Sequence, residues 1–337
     1  MISPSAGITS ARLSSVIALV WLSFFAFVAA AQQQAPVAPA QTPSSPAPTA
    51  PAPAAAPVFP KVDPANFTAT TPTKETVNAF LQANLGYDEN RVWEVYAIQK
   101  TQVEGISKVM VLVADKGGKQ KMMPVQFFVL PGGKYIFAGD DIVPFGEHPY
   151  AEDRAILQQR ADGPYRGSAS KDLEMVEFAD FQCPHCKEAQ ANMDKLAADF
   201  PKARIIYQSL PLPQHPAAAN AAAYGACVTK QGGSNAFFTF ASAVYDGQDG
   251  LATADGATMT LNSAVTKAGL DPAKVAACAK TPEAVAAVDA SRKLAQDLKV
   301  NQTPTLMVNG RPIPLSMPYD TLKKVIEYQA KMDGVTQ

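Results

Sequence analysis

Cys183-Pro184-His185-Cys186 sits between an apolar run, Leu173 to Phe181, and an amphipathic stretch, Cys186 to Phe200. No other feature constrains the fold as much. The run reads as a strand, and Ala189, Met193, Leu196 and Phe200 recur at helical spacing. Two cysteines in C-x-x-C spacing at a strand-to-helix junction can close and reopen a disulfide. Pro184 suits the first helical position, where its missing N–H costs nothing. Cys183 then falls at the helix N-terminus, where free N–H groups and the helix dipole favour a thiolate. Cys186 comes one turn later and faces inward. Cys183 is expected to be the exposed attacking thiol and Cys186 the resolving one. His185 is expected to place its imidazole beside the Cys183 sulfur; stabilising that thiolate makes the disulfide easier to reduce and so more oxidising. The competing reading is half of a zinc site. Zinc needs about four ligands, and no second Cys/His pair lies at matching spacing. No metal is expected, and no cofactor beyond the Cys183–Cys186 disulfide.

The four cysteines need an oxidising compartment to pair. Arg12 precedes an apolar run, Val16 to Ala31, ending in Val28-Ala29-Ala30-Ala31. This pattern predicts a signal peptide over 1–31, cleaved after Ala30 or Ala31, and places the chain in the periplasm or another extracytoplasmic space. Left uncleaved, Leu13 to Ala31 has the length of a membrane anchor. A net charge of -1 gives no sign of a nucleic-acid partner.

Residues 32–61 are Ala/Pro-rich and read as a disordered tether. Residues 62–145 read as a small α+β domain. Its helix after Thr73 carries Val77, Phe80, Leu81 and Leu85, and an antiparallel meander follows over 91–99, 108–114, 121–130 and 135–139. A linker helix and hinge are expected over 146–167, with the Gly/Ser/Asp-rich hinge reaching residue 172. The catalytic domain is placed at 168–337, in the order β-α-β, a helical insert over about 217–298, then β-β-α. Cys227 and Cys278 both fall in the insert. Neither has the C-x-x-C spacing, so they are expected to form a structural disulfide.

The segment Val176-Glu177-Phe178-Ala179-Asp180-Phe181-Gln182-Cys183-Pro184-His185-Cys186 resembles the active site of DsbA-type thiol:disulfide oxidoreductases of the thioredoxin superfamily. Gln302-Thr303-Pro304-Thr305-Leu306 is similar to that family's cis-proline loop. The resemblance implies an α/β thioredoxin fold with an inserted helical subdomain. It also implies a cis Pro304 opposite Cys183, with Thr303 offering backbone hydrogen bonds to a substrate strand. Glu177, six residues before Cys183, matches a buried acid that would move a proton to or from Cys186. Asp180 competes for that role, because strand alternation does not decide which carboxyl points inward. His215, in Leu212-Pro213-Gln214-His215-Pro216, is expected to cap the start of the insert, and His148 to lie at the surface.

The N-terminal layout resembles DsbC/DsbG isomerases, which dimerise through such a module. Thr303 before the proline resembles them too, whereas Pro184-His185 is the oxidase dipeptide. The first expectation is a periplasmic oxidase donating its disulfide to unfolded or partly folded exported proteins and reoxidised by a membrane partner of the DsbB type. The second is a dimeric isomerase, joined through residues 62–145 and kept reduced by a partner of the DsbD type. A non-enzymatic chaperone is the reading from another class.

Overall fold

The computed structural model describes residues 57–118 and 121–335. The expected signal peptide, and the expected tether apart from residues 57–61, lie outside them. The chain forms two compact units, one of 57–78 with Asn90–Gly146 and one of Ala79–Glu89 with Glu147–Gln337.

In the first unit, helix α1 (Lys74–Leu85) begins, with Val77 fully buried. Its sheet is an antiparallel meander of β1 (Arg91–Lys100), β2 (Ser107–Asp115), β3 (Met123–Val129), β4 (Tyr135–Ala138) and β5 (Asp141–Pro144), in sequence order. Alternation is clear in β2, where Ser107, Val109, Val111 and Val113 are buried. Strand β5 was not expected. It is four residues long, begins with an aspartate, and pairs Ile142 with Phe137 across a turn whose Gly139 has φ 64°.

The second unit is built on a sheet ordered β10-β9-β7-β8-β6: β6 (Tyr165–Gly167), β7 (Glu174–Ala179), β8 (Arg204–Ser209), β9 (Thr305–Val308) and β10 (Arg311–Ile313). Strand β7 is central, parallel to β8 and antiparallel to β9, and all six of its residues are buried. Covered on both faces, it is buried along its whole length, Glu174 and Glu177 included. On one face Met175 packs with Met193 and Leu196 of α3 (Pro184–Asp199) and with Val325 and Ile326 of α8 (Tyr319–Met332). On the other, Val176 and Phe178 pack with Leu157 of α2 (Ala151–Arg160) and Leu294 of α7 (Pro282–Asp297).

The stretch 161–172, expected as a hinge, carries β6, which pairs antiparallel with β8 as an edge strand. Three residues are too few to show a period. Gly167 permits the pairing: its φ is 85°, and a Cβ there would meet the carbonyl of Ala203. Leu157 of the expected linker helix is likewise a core residue of this unit.

The insert comprises α4 (Ala218–Asp246, kinked at Gly233), a 3-10 turn Gln248–Ala252, α5 (Ala254–Lys267), α6 (Pro272–Cys278) and α7. Asp271 and Thr281 cap helices that each open on proline. Cys227 and Cys278 are disulfide-bonded, with Cα atoms 6.0 Å apart. Among the described residues no helix is long and apolar enough to cross a membrane.

Candidate active site

Strand β7 ends at Ala179, and the chain turns through Asp180-Phe181-Gln182 into α3, with Cys183 as its N-cap and Pro184 at its first position. The Cys183 N–H donates to the Asp180 carbonyl (3.1 Å), which tightens the turn. Both active-site thiols are free. The Thr303–Pro304 peptide is cis, and the Cys183 Sγ lies 3.6 Å from the Thr303 carbonyl oxygen. Two motifs far apart in sequence thus meet at one sulfur.

Cys183 differs from the expected exposed thiol: only 4% of its surface is accessible, while Pro184 and His185 beside it are exposed. Its thiol is pulled down to about 5. The largest cause is a hydrogen bond from the Cys186 thiol; Thr303 and the N–H groups of Cys186 and His185 act in the same direction, against burial. Cys186 is inaccessible, and burial drives its thiol strongly upward. The N–H of Asp180 donates to the Cys186 sulfur at 3.4 Å.

The His185 imidazole faces solvent, with Nδ1 3.1 Å from Glu188 Oε2. The reason is helix geometry: Glu188 stands three residues on, on the same face. The His185 backbone N–H helps lower the Cys183 thiol, and the Cys183 charge, after the larger effect of Glu188, raises the imidazole.

The two competing carboxyls are both buried, and they differ in their partners. Glu177 stands beside Tyr207 of β8 in the sheet register. Its Oε1 accepts from Gln190 Nε2 (2.9 Å), which also donates to the Cys186 carbonyl (3.1 Å). Burial raises its carboxyl to about 7, opposed by the Gln190 bond. A group of that character holds or releases a proton near neutrality, one side chain away from Cys186. The Asp180 carboxylate is instead saturated: Oδ1 accepts from the Gln182 N–H (2.7 Å), and Oδ2 from the Leu212 N–H and His215 Nδ1 (both 2.8 Å). His215 therefore partners Asp180 rather than capping α4, whose N-cap is Ala217 with no side-chain bond. His148 is exposed, as expected.

Three glutamines of the site escaped sequence reasoning. Gln190 joins Glu177 to the active-site helix. Gln182 accepts from the Ala217 N–H (2.8 Å) and donates to the Leu251 carbonyl (3.2 Å). Gln248, from the insert, donates to the carbonyls of Phe181 and Cys183. An amide side chain has no signature spacing, and only Gln182 and Gln190 are near enough to the C-x-x-C to have drawn notice. Beneath the turn, Phe181 stacks on Tyr207 (5.3 Å) and meets Phe240 edge-on (5.6 Å).

Known proteins resemble parts of this chain. Over 153 residues it is 31% identical to "Na(+)/H(+) antiporter NhaA 3" of Salinispora tropica, a match covering 43% of this chain and 21% of that protein. The chain thus spans about a fifth of the length of that curated relative. A thioredoxin-like oxidoreductase from Silicibacter pomeroyi superposes with a TM-score of 0.44 at 24% identity, over 53% of this chain and 98% of that one. The thiol-disulfide exchange protein alpha-DsbA2 from Wolbachia pipientis superposes with a TM-score of 0.45 at 22% identity, over 52% and 95% respectively. The family model described as Thioredoxin matches residues 159–328, half of the chain, and with them β7, the C-x-x-C helix, the insert and the cis-proline loop. The chain belongs to the thioredoxin family.

Proposed function

We propose that this thiol–disulfide oxidoreductase works as an extracytoplasmic disulfide donor. The observation that carries the reading is the asymmetry of the pair: the Cys183 thiol is lowered to about 5 while burial drives Cys186 upward. In the oxidised protein a substrate thiolate attacks the Cys183 sulfur. The Cys183–Cys186 bond breaks, a mixed disulfide forms at Cys183, and Cys186 leaves as a thiolate. Cys186 is a poor thiolate where it lies and takes up a proton, for which the buried Glu177 carboxyl, raised to about 7, is the donor. A second substrate thiolate then attacks the substrate sulfur of the mixed disulfide and expels Cys183 as a stabilised thiolate. The substrate's two thiols lose two electrons to the cysteine pair, and a low leaving-group pKa speeds the last step.

Thr303 and Pro304, against the Cys183 sulfur, are the residues to hold the substrate backbone. Exported, partly folded chains are the substrates in this reading, and a membrane quinone-linked oxidase of the DsbB type restores the disulfide.

The test is the equilibrium of the Cys183–Cys186 pair with glutathione, with Cys227 and Cys278 replaced by serine. A pair reduced far more readily than glutathione disulfide supports the donor. A reducing pair, or one isolated as dithiol from the native compartment, overturns it in favour of an isomerase served by a DsbD-type reductant. Cys183→Ser retaining full activity in protecting unfolded chains, with no oxidase activity in the parent, would favour a chaperone.

A further inference from the structure

The turn that presents Cys183 is held largely by the helical insert. Gln248 opens the 3-10 turn after α4, and its side chain runs inward; 9% of the residue is accessible. Its Nε2 lies 2.9 Å from the carbonyl oxygens of both Phe181 and Cys183. Only the NH2 end of an amide can satisfy two acceptors, so the orientation is determined by its partners. Those two carbonyls flank Gln182, whose own amide spans Ala217 and Leu251 on the insert. The Cys183 carbonyl also opens the α3 ladder, accepting from the N–H groups of Cys186 (3.1 Å) and Lys187 (3.3 Å).

We propose that Gln248 is a positioning residue for the reactive cysteine: an amide from the insert whose two N–H groups fix the turn that presents Cys183. The inference rests on the thiol–disulfide reading above. Gln248 acts through the backbone and touches neither sulfur nor substrate. Without it, the Phe181 carbonyl loses its donor and the Cys183 carbonyl keeps only the N–H groups of Cys186 and Lys187, so the turn admits water or relaxes by rotating a peptide. A rotated Cys183 peptide carries Sγ away from the N–H groups of His185 and Cys186. The thiolate then loses stabilisation, the reduced form is less favoured, and the disulfide becomes less oxidising.

The experiment compares the full chain with Gln248→Met, nearly isosteric and without donors, and Gln248→Glu, isosteric with acceptors facing the carbonyls. Thiolate absorbance of the reduced proteins against pH gives the Cys183 midpoint. Glutathione buffers give the redox equilibrium, and denaturant unfolding of the oxidised forms gives stability. Both variants are expected to raise the Cys183 midpoint and shift the glutathione equilibrium toward the oxidised protein by about fivefold or more, the equilibrium worth of one net hydrogen bond. An unchanged midpoint and equilibrium in either folded variant, whatever its stability, overturns the proposal. If neither variant folds, Gln248 belongs to the fold rather than to the reactive turn, and the proposal also falls. Because the readout is the difference between variant and parent, it stands or falls separately from whether the parent is an oxidase.

Discussion

Cys183 and Cys186 are one helical turn apart and opposite in acid–base character. Cys183 has several hydrogen-bond donors that outweigh its burial; Cys186 has burial and a thiolate neighbour. A thiol lowered from 9.0 to about 5 alkylates with a midpoint near pH 5. The sign follows from linkage: the depressed pKa stabilises the folded, reduced protein above the unfolded thiol's pKa, and that stabilisation fades as pH falls through about 5. Iodoacetamide rates between pH 4 and 9 measure it, and a midpoint above 8 would contradict it. Glu177 has the opposite sign. Burial raises its carboxyl from 4.5 to about 7, so the folded state is favoured below pH 4.5 and loses that advantage as pH rises through about 7. Glu177→Gln has no such group. Relative to the parent it is expected to gain up to about 3 kcal/mol of stability between pH 4 and pH 8, from roughly 1.4 kcal/mol per pKa unit. Urea unfolding at the two pH values measures it; the same difference at both would refute the assignment.

Helix α3 supplies the first N–H groups to Cys183, β9 follows the cis-proline loop, the segment leading into the insert supplies His215, and the insert supplies Ala217, Gln248 and the Leu251 carbonyl. The insert is thus a structural half of the site, and its stiffness matters. Cys227, in the buried face of α4, and Cys278, at the end of α6, close a loop with a sequence separation of 51. Replacing both by serine is expected to cost about 4 kcal/mol by loop entropy. The Cys183 midpoint is expected to stay where it is, because neither cysteine touches the reactive turn. Denaturant unfolding together with thiolate titration separates the two effects; a shifted midpoint would show that this bond also tunes the redox centre.

For the molecule as a whole, the βαβ start, the helical insert, the ββα end and the meander of the first unit were legible in sequence. Their apolar periods run long enough to register, or short turns such as Pro131-Gly132-Gly133-Lys134 and Asn309-Gly310 mark their ends. The edge strands Tyr165–Gly167 and Asp141–Pro144 were not. Three or four residues carry no period, and their pairing partners, rather than their own side chains, make them strands. At the site, Cys183 and Cys186 were legible because C-x-x-C spacing is local, and Pro304 through the resemblance of its loop to the cis-proline loop of the DsbA-type family. The sequence by itself determined which atoms can exchange electrons and where the helix that activates them begins. Only the tertiary structure decided that His185 turns to Glu188, that Asp180 is taken by His215 while Glu177 keeps a titratable proton, and that an insert glutamine reaches the Cys183 carbonyl. Reactivity type is a property of residues and their neighbours in chain. Burial, hydrogen-bond saturation and the direction of a side chain depend on groups brought in from tens of residues away.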